Sequence, residues 1–256
     1  MQIIISPAKA LDFTKPAGTS LHSEIRFSSE AQQLVNILKN YSPEQLGSLM
    51  KISQKLADLN YTRYQHWSFP FSNTEIKQAL FAFNGEVYNG IKAETLNKTE
   101  IETAQKKLRI LSGLYGLLRP LDIILPYRLE MGTRMTFLDY KNLYSYWDGK
   151  ITDLLNLDIK ENKHKALINL ASNEYYKSIN TKDITVPIIS PEFKDLKNGN
   201  YKVISIYAKK ARGLMTRFII QNNLTDYNDL KAFDLEGYYY NNQLSSEYKP
   251  VFTRDH

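Results

Sequence analysis

The residues best equipped for chemistry stand at the ends of short apolar runs. Between Lys106 and Thr133 (KKLRILSGLYGLLRPLDIILPYRLEMGT) an apolar run from Leu108 to Leu111 gives way to Ser112-Gly113 and Gly116, then to Arg119, Arg128 and Glu130. A strand that ends in small residues and hands over to arginines is the pattern of an anion-facing edge in an α/β layer. Glycine lacks the Cβ that holds backbone N–H groups away from a phosphate. The opposite reading is that the glycines make a tight turn under a packed helix, with Arg119 and Arg128 paired to acids inside the protein. The spacing is not a P-loop, since no Gly-Lys-Ser/Thr closes it, and it is not GxGxxG. Two other apolar runs end alike. Ile3-Ile4-Ile5 stops at Ser6, with Lys9 and Asp12 just beyond. KALINL, residues 165–170, stops at Ala171-Ser172-Asn173-Glu174. Lys9, Asp12, Ser112, Glu130 and Glu174 are therefore candidate pocket residues, suited with the arginines to a phosphate or a base. Whether they converge is left to the fold.

Positive charge is densest in the C-terminal third. AKKARGLMTRF places Lys209, Lys210, Arg212 and Arg217 close together, and no acid lies between Asp195 and Asp226. On a helix, Lys209, Arg212 and Arg217 share a broad face while Leu214, Phe218 and Ile219 point inward. Val203 to Tyr207 reads as a strand before it, and a helix that starts after a strand turns free N–H groups on an anion. The other reading is a solvated face, or arginines paired with distant acids. The stretch LMKISQKLADL, residues 49–59, resembles a helix-hairpin-helix element. In that motif two short helices meet at a tight hairpin whose backbone holds a phosphate oxygen. Here Met50-Lys51-Ile52-Ser53 corresponds to the hairpin, Ile52 to its buried anchor and Lys55 to the phosphate contact. Lys51 and Ser53 stand where the motif prefers glycine. The alternative is an amphipathic helix with Leu49, Ile52, Leu56 and Leu59 inward. Arg63 and Tyr64 extend the region with a phosphate contact and a stacking face.

Several chemistries are excluded. The chain has no cysteine, hence no disulfide, thiolate metal site, iron–sulfur cluster or cysteine nucleophile. His22, His66, His164 and His256 are scattered, with none at metal-ligand spacing. No GxSxG, HExxH or kinase-type set is present. No catalytic residue, metal or cofactor is assigned. The net charge of +6 and pI near 9.1 favour encounters with polyanions without requiring them. No signal core or membrane-length apolar run occurs, so a cytoplasmic protein without membrane association is expected.

The elements that must position these residues follow from periodicity and caps. Met1 to Ser6 reads as a strand ended by Pro7. Ser28 to Asn40 reads as a helix capped by Ser28 or Ser29. Ser42-Pro43-Glu44 opens a second helix to about Leu49. Asn73-Thr74-Glu75 reads as a helix cap. In AFNGEVYNG, Asn84-Gly85 and Asn89-Gly90 read as turns, and Glu86 as a cap or turn residue. Thr99–Leu108 and Asp148–Leu157 read as helices, and 165–170 and 186–190 as strands. Residues 230–240 read as a final strand pair, or as a strand and a turn at Gly237, followed by a tail from Glu247.

The blocks IISPAKALDF (4–13), AFNGEVYNGIKA (82–93), the 106–133 stretch, NLASNEYYK (169–177) and ISIYAKKARGLMTRFII (204–220) resemble, in order and over essentially the whole chain, the YaaA family of bacterial peroxide-stress proteins. The resemblance implies an unusual α/β architecture, double-stranded-DNA binding, and protection of DNA from oxidative damage.

The expectation is an α+β (mixed α/β) fold in a single compact domain spanning 1–256. It has a central mixed β-sheet surrounded by helices and a helix-hairpin-helix-like insertion at 42–66. The expected function is duplex DNA binding by a monomer through a basic cleft. Lys51, Ser53, Lys55, Arg63, Arg119, Arg128, Lys209, Lys210, Arg212 and Arg217 are the DNA-binding residues. The alternative is an enzyme acting on a nucleotide or damaged nucleic acid at the strand ends.

Overall fold

The structure is a computed structural model and describes residues 1–71 and 75–255. It is mixed α/β, as expected. Its centre is a five-stranded sheet ordered Gly116–Leu118, Leu108–Ser112, Gln2–Ile5, Leu167–Leu170, Ile188–Ile189. The Gln2–Ile5 strand lies in the middle and pairs parallel with both neighbours; Gly116–Leu118 is an antiparallel edge. Parallel strands covered on both faces read as continuous apolar runs, which is why Ile3-Ile4-Ile5 is legible as a strand. Ile3, Ile4, Ile5, Leu108, Ile110 and Leu167 are fully buried, each contributing roughly 1.5–3 kcal/mol over exposure. Arg109 on this sheet is buried too, its Nε 2.5 Å from Asp158. Asp158 also takes Arg26 at 2.8 Å.

A second sheet, ordered Asn200–Lys202, Glu192–Lys197, Val251–Arg254, Tyr239–Tyr240, forms from the C-terminal third. It corrects the reading of 247–256 as a tail. Val251–Arg254 pairs parallel with Glu192–Lys197, a partner too distant in sequence for local patterning to indicate. Over 227–240 two 3₁₀ turns, Tyr227–Ala232 and Leu235–Gly237, precede the two-residue strand Tyr239–Tyr240, so of the two readings the strand pair is not formed and the single strand with a turn at Gly237, φ 79, is.

The helix expected after a strand at 203–207 begins earlier, at Ser205, and runs to Gln221. A short apolar run does not distinguish strand from helix. Ile206 and Tyr207 are exposed on its first turn, with Arg254 4.8 Å over the Tyr207 ring. The Asn89-Gly90 turn is likewise helical, inside Glu86–Ile91. Ser28–Leu38 forms a helix but neither serine caps it. The cap expected at Asn73-Thr74 lies outside the described residues. Lys77–Gln78 just beyond it is extended, paired with Ile123–Ile124.

The 42–66 region is two helices, Pro43–Met50 and Gln54–His66. Ser42 and Gln45 form a reciprocal capping box at the first. Lys51 ends it in the left-handed region at φ 53. Ile52 is only partly buried. The amphipathic alternative is overturned at two positions: Leu56 and Leu59 are 37% and 44% exposed. The second helix docks instead through Ala57, Asn60 and Tyr64, whose hydroxyl donates to the Arg128 carbonyl.

Candidate functional site

The chain leaves Gln2–Ile5 toward Leu108–Ser112 on one side and leaves Leu167–Leu170 toward Ile188–Ile189 on the other. Connections that diverge from adjacent parallel strands open a crevice at their carboxyl ends, where α/β folds bind ligands. The two strand ends meet there: the Ser172 N–H donates to Ser6 Oγ at 2.8 Å, and Ser6 Oγ donates to Ser172 Oγ at 3.2 Å. A cavity of 370 Å³ opens beside them. Loop 6–10 and residues 170–175 form its sheet-side walls, and Tyr127 to Glu130 and Glu86 to Tyr88 close it.

Glycine contacts bring in the remaining wall. Helix Ser205–Gln221 crosses Glu86–Ile91 so closely that a Cβ on Gly213 would stand 1.9 Å from the Val87 carbonyl oxygen. A Cβ on Gly90 would stand 2.3 Å from that of Lys210. This approach sets Lys209 and Arg212 at the cavity. Gly113 serves the same end on the sheet. A Cβ there would lie 2.3 Å from the Leu129 carbonyl oxygen, so the 127–130 segment can lie on the strand end. The glycines of the 106–133 stretch therefore make room for protein backbone. Gly116, at φ 65, packs against Trp147 and Phe27.

The site's charge is mixed. Glu130 is clamped by Lys9 at 2.8 Å and Arg128 at 3.0 Å. The Arg128 Nε is buried with no hydrogen-bond partner among the described residues. Glu174 accepts the Gly132 N–H at 2.9 Å, and Glu86 accepts Asn89 Nδ2 at 3.2 Å. The Arg212 guanidinium has no hydrogen bond or ion pair among the described residues. Burial pushes its pKa down, and Glu192 offsets part of that effect. Lys209 is exposed and equally without a partner. The floor is aromatic: burial raises the hydroxyls of Tyr88, Tyr127 and Tyr175, so they stand as neutral donors. Tyr88 donates to the Ser6 carbonyl, and Tyr127 shares a 2.7 Å hydrogen bond with Ser112 Oγ.

The helical hairpin abuts this cavity. Met50 and Lys51 line a shallower groove with Gly132, Thr133 and Arg134, and that groove shares Glu130 and Glu174 with the cavity.

Of the residues singled out in sequence, the fold thus gathers Lys9, Arg128, Glu130, Glu174, Lys209 and Arg212, and puts Lys51 alongside. Ser112 is fully buried beneath Tyr127 and does not line the cavity. Asp12 is turned into its own loop, accepting from Thr14. Arg119 is held by buried Asp122 at 2.8 Å, the internal pairing that was the alternative for it. Lys210 pairs with Glu236 at 2.6 Å. Arg217 caps the carbonyls of Ile91 and Lys92, so it does not join Lys209 and Arg212 at the cavity. Ser53 and Lys55 are exposed at the start of Gln54–His66, and Arg63 is half-buried beside Asn60. The carboxylates of Glu86, Glu130 and Glu174 interleave with the cations, so this cleft is not purely basic. Sequence reasoning missed the three tyrosines as a common floor. Ser6 and Ser172, small polar residues at two strand ends, were the signal that located it.

Fold and site together define a mixed α/β protein with a charged cavity at the switch point of a largely parallel sheet. The chain belongs to the family described as peroxide stress protein YaaA, whose sequence model it matches over residues 1–244. It is similar to a UPF0246 protein of Hahella chejuensis, 51% identical over 256 residues and covering 100% of each chain. A UPF0246 protein of Shewanella sp. strain MR-4 is 48% identical over 255 residues, with 100% of this chain and 99% of the relative covered. One of Idiomarina loihiensis is 51% identical over 254 residues, with 99% and 98% covered. Among the described residues no helix is long and apolar enough to cross a membrane.

Proposed function

We propose that this member of the peroxide-stress family binds double-stranded DNA and thereby limits oxidative damage to it. The observation that carries the reading is the placement of the helical hairpin. Its link residue Lys51 lines a groove that shares Glu130 and Glu174 with the cavity lined by Lys9, Arg128, Lys209 and Arg212. A left-handed residue at the link turns the chain sharply between two helices, and exposed Ser53 and Lys55 follow at the start of the second, where free N–H groups favour a phosphate oxygen. The interleaved carboxylates restrict the grip to a few phosphates and oppose nonspecific sliding of polyanions into the cavity.

Fluorescence anisotropy with a short labelled duplex, titrated at several salt concentrations, tests the reading. Affinity should fall with salt at a log–log slope of roughly −0.9 per phosphate contact. Lys51→Glu and Lys55→Glu, both at exposed positions, should weaken binding without lowering the melting temperature. Absence of duplex binding at low salt, or a flat salt response, removes the proposal.

A further inference from the structure

Three features of the cavity, taken together, describe a smaller and more varied ligand than a duplex backbone. Its floor is made of Tyr88, Tyr127, Tyr175, Leu129 and Leu170, a surface for a flat apolar ring. One helix contributes two cations, Lys209 and Arg212, and neither side chain has a hydrogen bond or ion pair among the described residues. A half-buried guanidinium whose hydrogen-bonding groups meet no protein acceptor is placed to receive an anion. The third feature is a pair of anchored carboxylates. Glu86 and Glu174 each use one oxygen, on Asn89 and on the Gly132 N–H, and the other oxygen of each has no partner among the described residues. Free carboxylate oxygens accept N–H groups and repel anions. The cavity, at 370 Å³, is within the range of small-ligand sites.

We infer that the cavity is a binding site for a single nucleotide, with its phosphate on Lys209 and Arg212 and its amino-bearing base over the tyrosine floor against Glu86 or Glu174. The ligand class follows from the set of groups. A phosphate alone leaves the aromatic floor and the carboxylates unused. A neutral heterocycle leaves the two cations unpaired. A nucleoside monophosphate satisfies all three. Lys9 and Arg128 remain engaged with Glu130. The same chemistry comes from two sources: a free mononucleotide, or an unpaired nucleotide within a strand. The inference does not depend on duplex binding, which is measured separately.

Isothermal titration of the intact protein with deoxyadenosine 5′-monophosphate, adenosine and inorganic phosphate tests it. The nucleotide should bind at least about tenfold more tightly than either half, since a charge-assisted pair contributes that much. Arg212→Gln and, at the exposed position, Lys209→Glu should each weaken the nucleotide about tenfold while leaving adenosine unchanged. Glu86→Gln together with Glu174→Gln should weaken the nucleotide and adenosine alike. Two competition arms distinguish the sources. Displacement of a duplex carrying one unpaired adenine, with no effect on a fully paired duplex, assigns the site to strand-borne nucleotides. Binding of the nucleotide without competition against either duplex assigns it to the free one. No binding at millimolar nucleotide, equal affinity for adenosine and the nucleotide, or no effect of both cation variants in proteins of unchanged melting temperature overturns the inference.

Discussion

Replacing Gly213 or Gly90 by alanine sets two physical rules against each other. Both residues are inside helices, where alanine is favoured over glycine by about 1 kcal/mol. Propensity alone therefore predicts stabilisation. Packing predicts the reverse. The added Cβ at Gly213 meets the Val87 carbonyl oxygen at 1.9 Å, whereas ordinary contact starts near 3.4 Å. The obstacle is backbone, which no rotamer change relieves, so the two helices must separate by about 1.5 Å. At Gly90 the obstacles are the Lys210 carbonyl oxygen at 2.3 Å and the Leu214 N at 2.8 Å. Overpacking of a tight contact costs about 1–3 kcal/mol, with backbone obstacles at the upper end. Each variant should lose about 2 kcal/mol net in urea unfolding, without a change in m-value. One separation relieves both clashes, so the double variant should cost less than the sum of the singles by about 1 kcal/mol. Each variant should also weaken any ligand of Lys209 and Arg212, because their helix moves away from Glu86–Ile91. Neutral or stabilised single variants, or strictly additive losses, would refute the close approach as the device that builds the cavity wall.

Further outcomes are expected elsewhere. Asp158→Asn should cost about 3–5 kcal/mol, because it leaves Arg26 and Arg109 buried without a counter-charge; thermal unfolding reads this directly. Ser42→Ala should cost about 1 kcal/mol through loss of the capping box, and Gln45→Ala should cost less in the Ser42→Ala background than in the native chain, as a double-mutant cycle reads. Burial, then the ammonium of Met1, lowers the pKa of His164 from 6.5 to about 4. Below pH 6.5 the unfolded chain takes up a proton that the native chain refuses until about pH 4, so stability should fall across that window, by at most about 3 kcal/mol. His164→Gln should flatten that part of the profile, and an unchanged slope between pH 7 and pH 4.5 would discount the ring.

The inner strands of the central sheet were legible because they are buried on both faces and so carry largely apolar runs, whereas the edge strand Gly116–Leu118 was not read as one. The same signal failed at 203–207, where exposed Ile206 and Tyr207 extend an apolar run into a helix. It failed again at Val251–Arg254, whose strand character comes from pairing with Glu192–Lys197. In the site, Ser6, Lys9 and Glu174 were visible as polar residues just past strand ends, and Glu130 as an acid beside Arg128. The selection among arginines was not visible. Arg119, Arg128, Arg212 and Arg217 look alike in sequence, yet the fold gives one to Asp122, one to Glu130, one to helix-end carbonyls, and leaves Arg212 open to the cavity.

By itself the sequence determined the local matters: which stretches could be buried strands, where Ser42 starts a helix, and that cysteine chemistry is absent. These depend on neighbours a few residues away, and their energetics are written in side-chain type and period. Only the tertiary structure decided which charges are neutralised and which remain available, because that is set by partners tens to hundreds of residues distant. It also decided the purpose of Gly90, Gly113 and Gly213. A glycine's missing side chain becomes meaningful only when another segment of backbone comes to occupy the space.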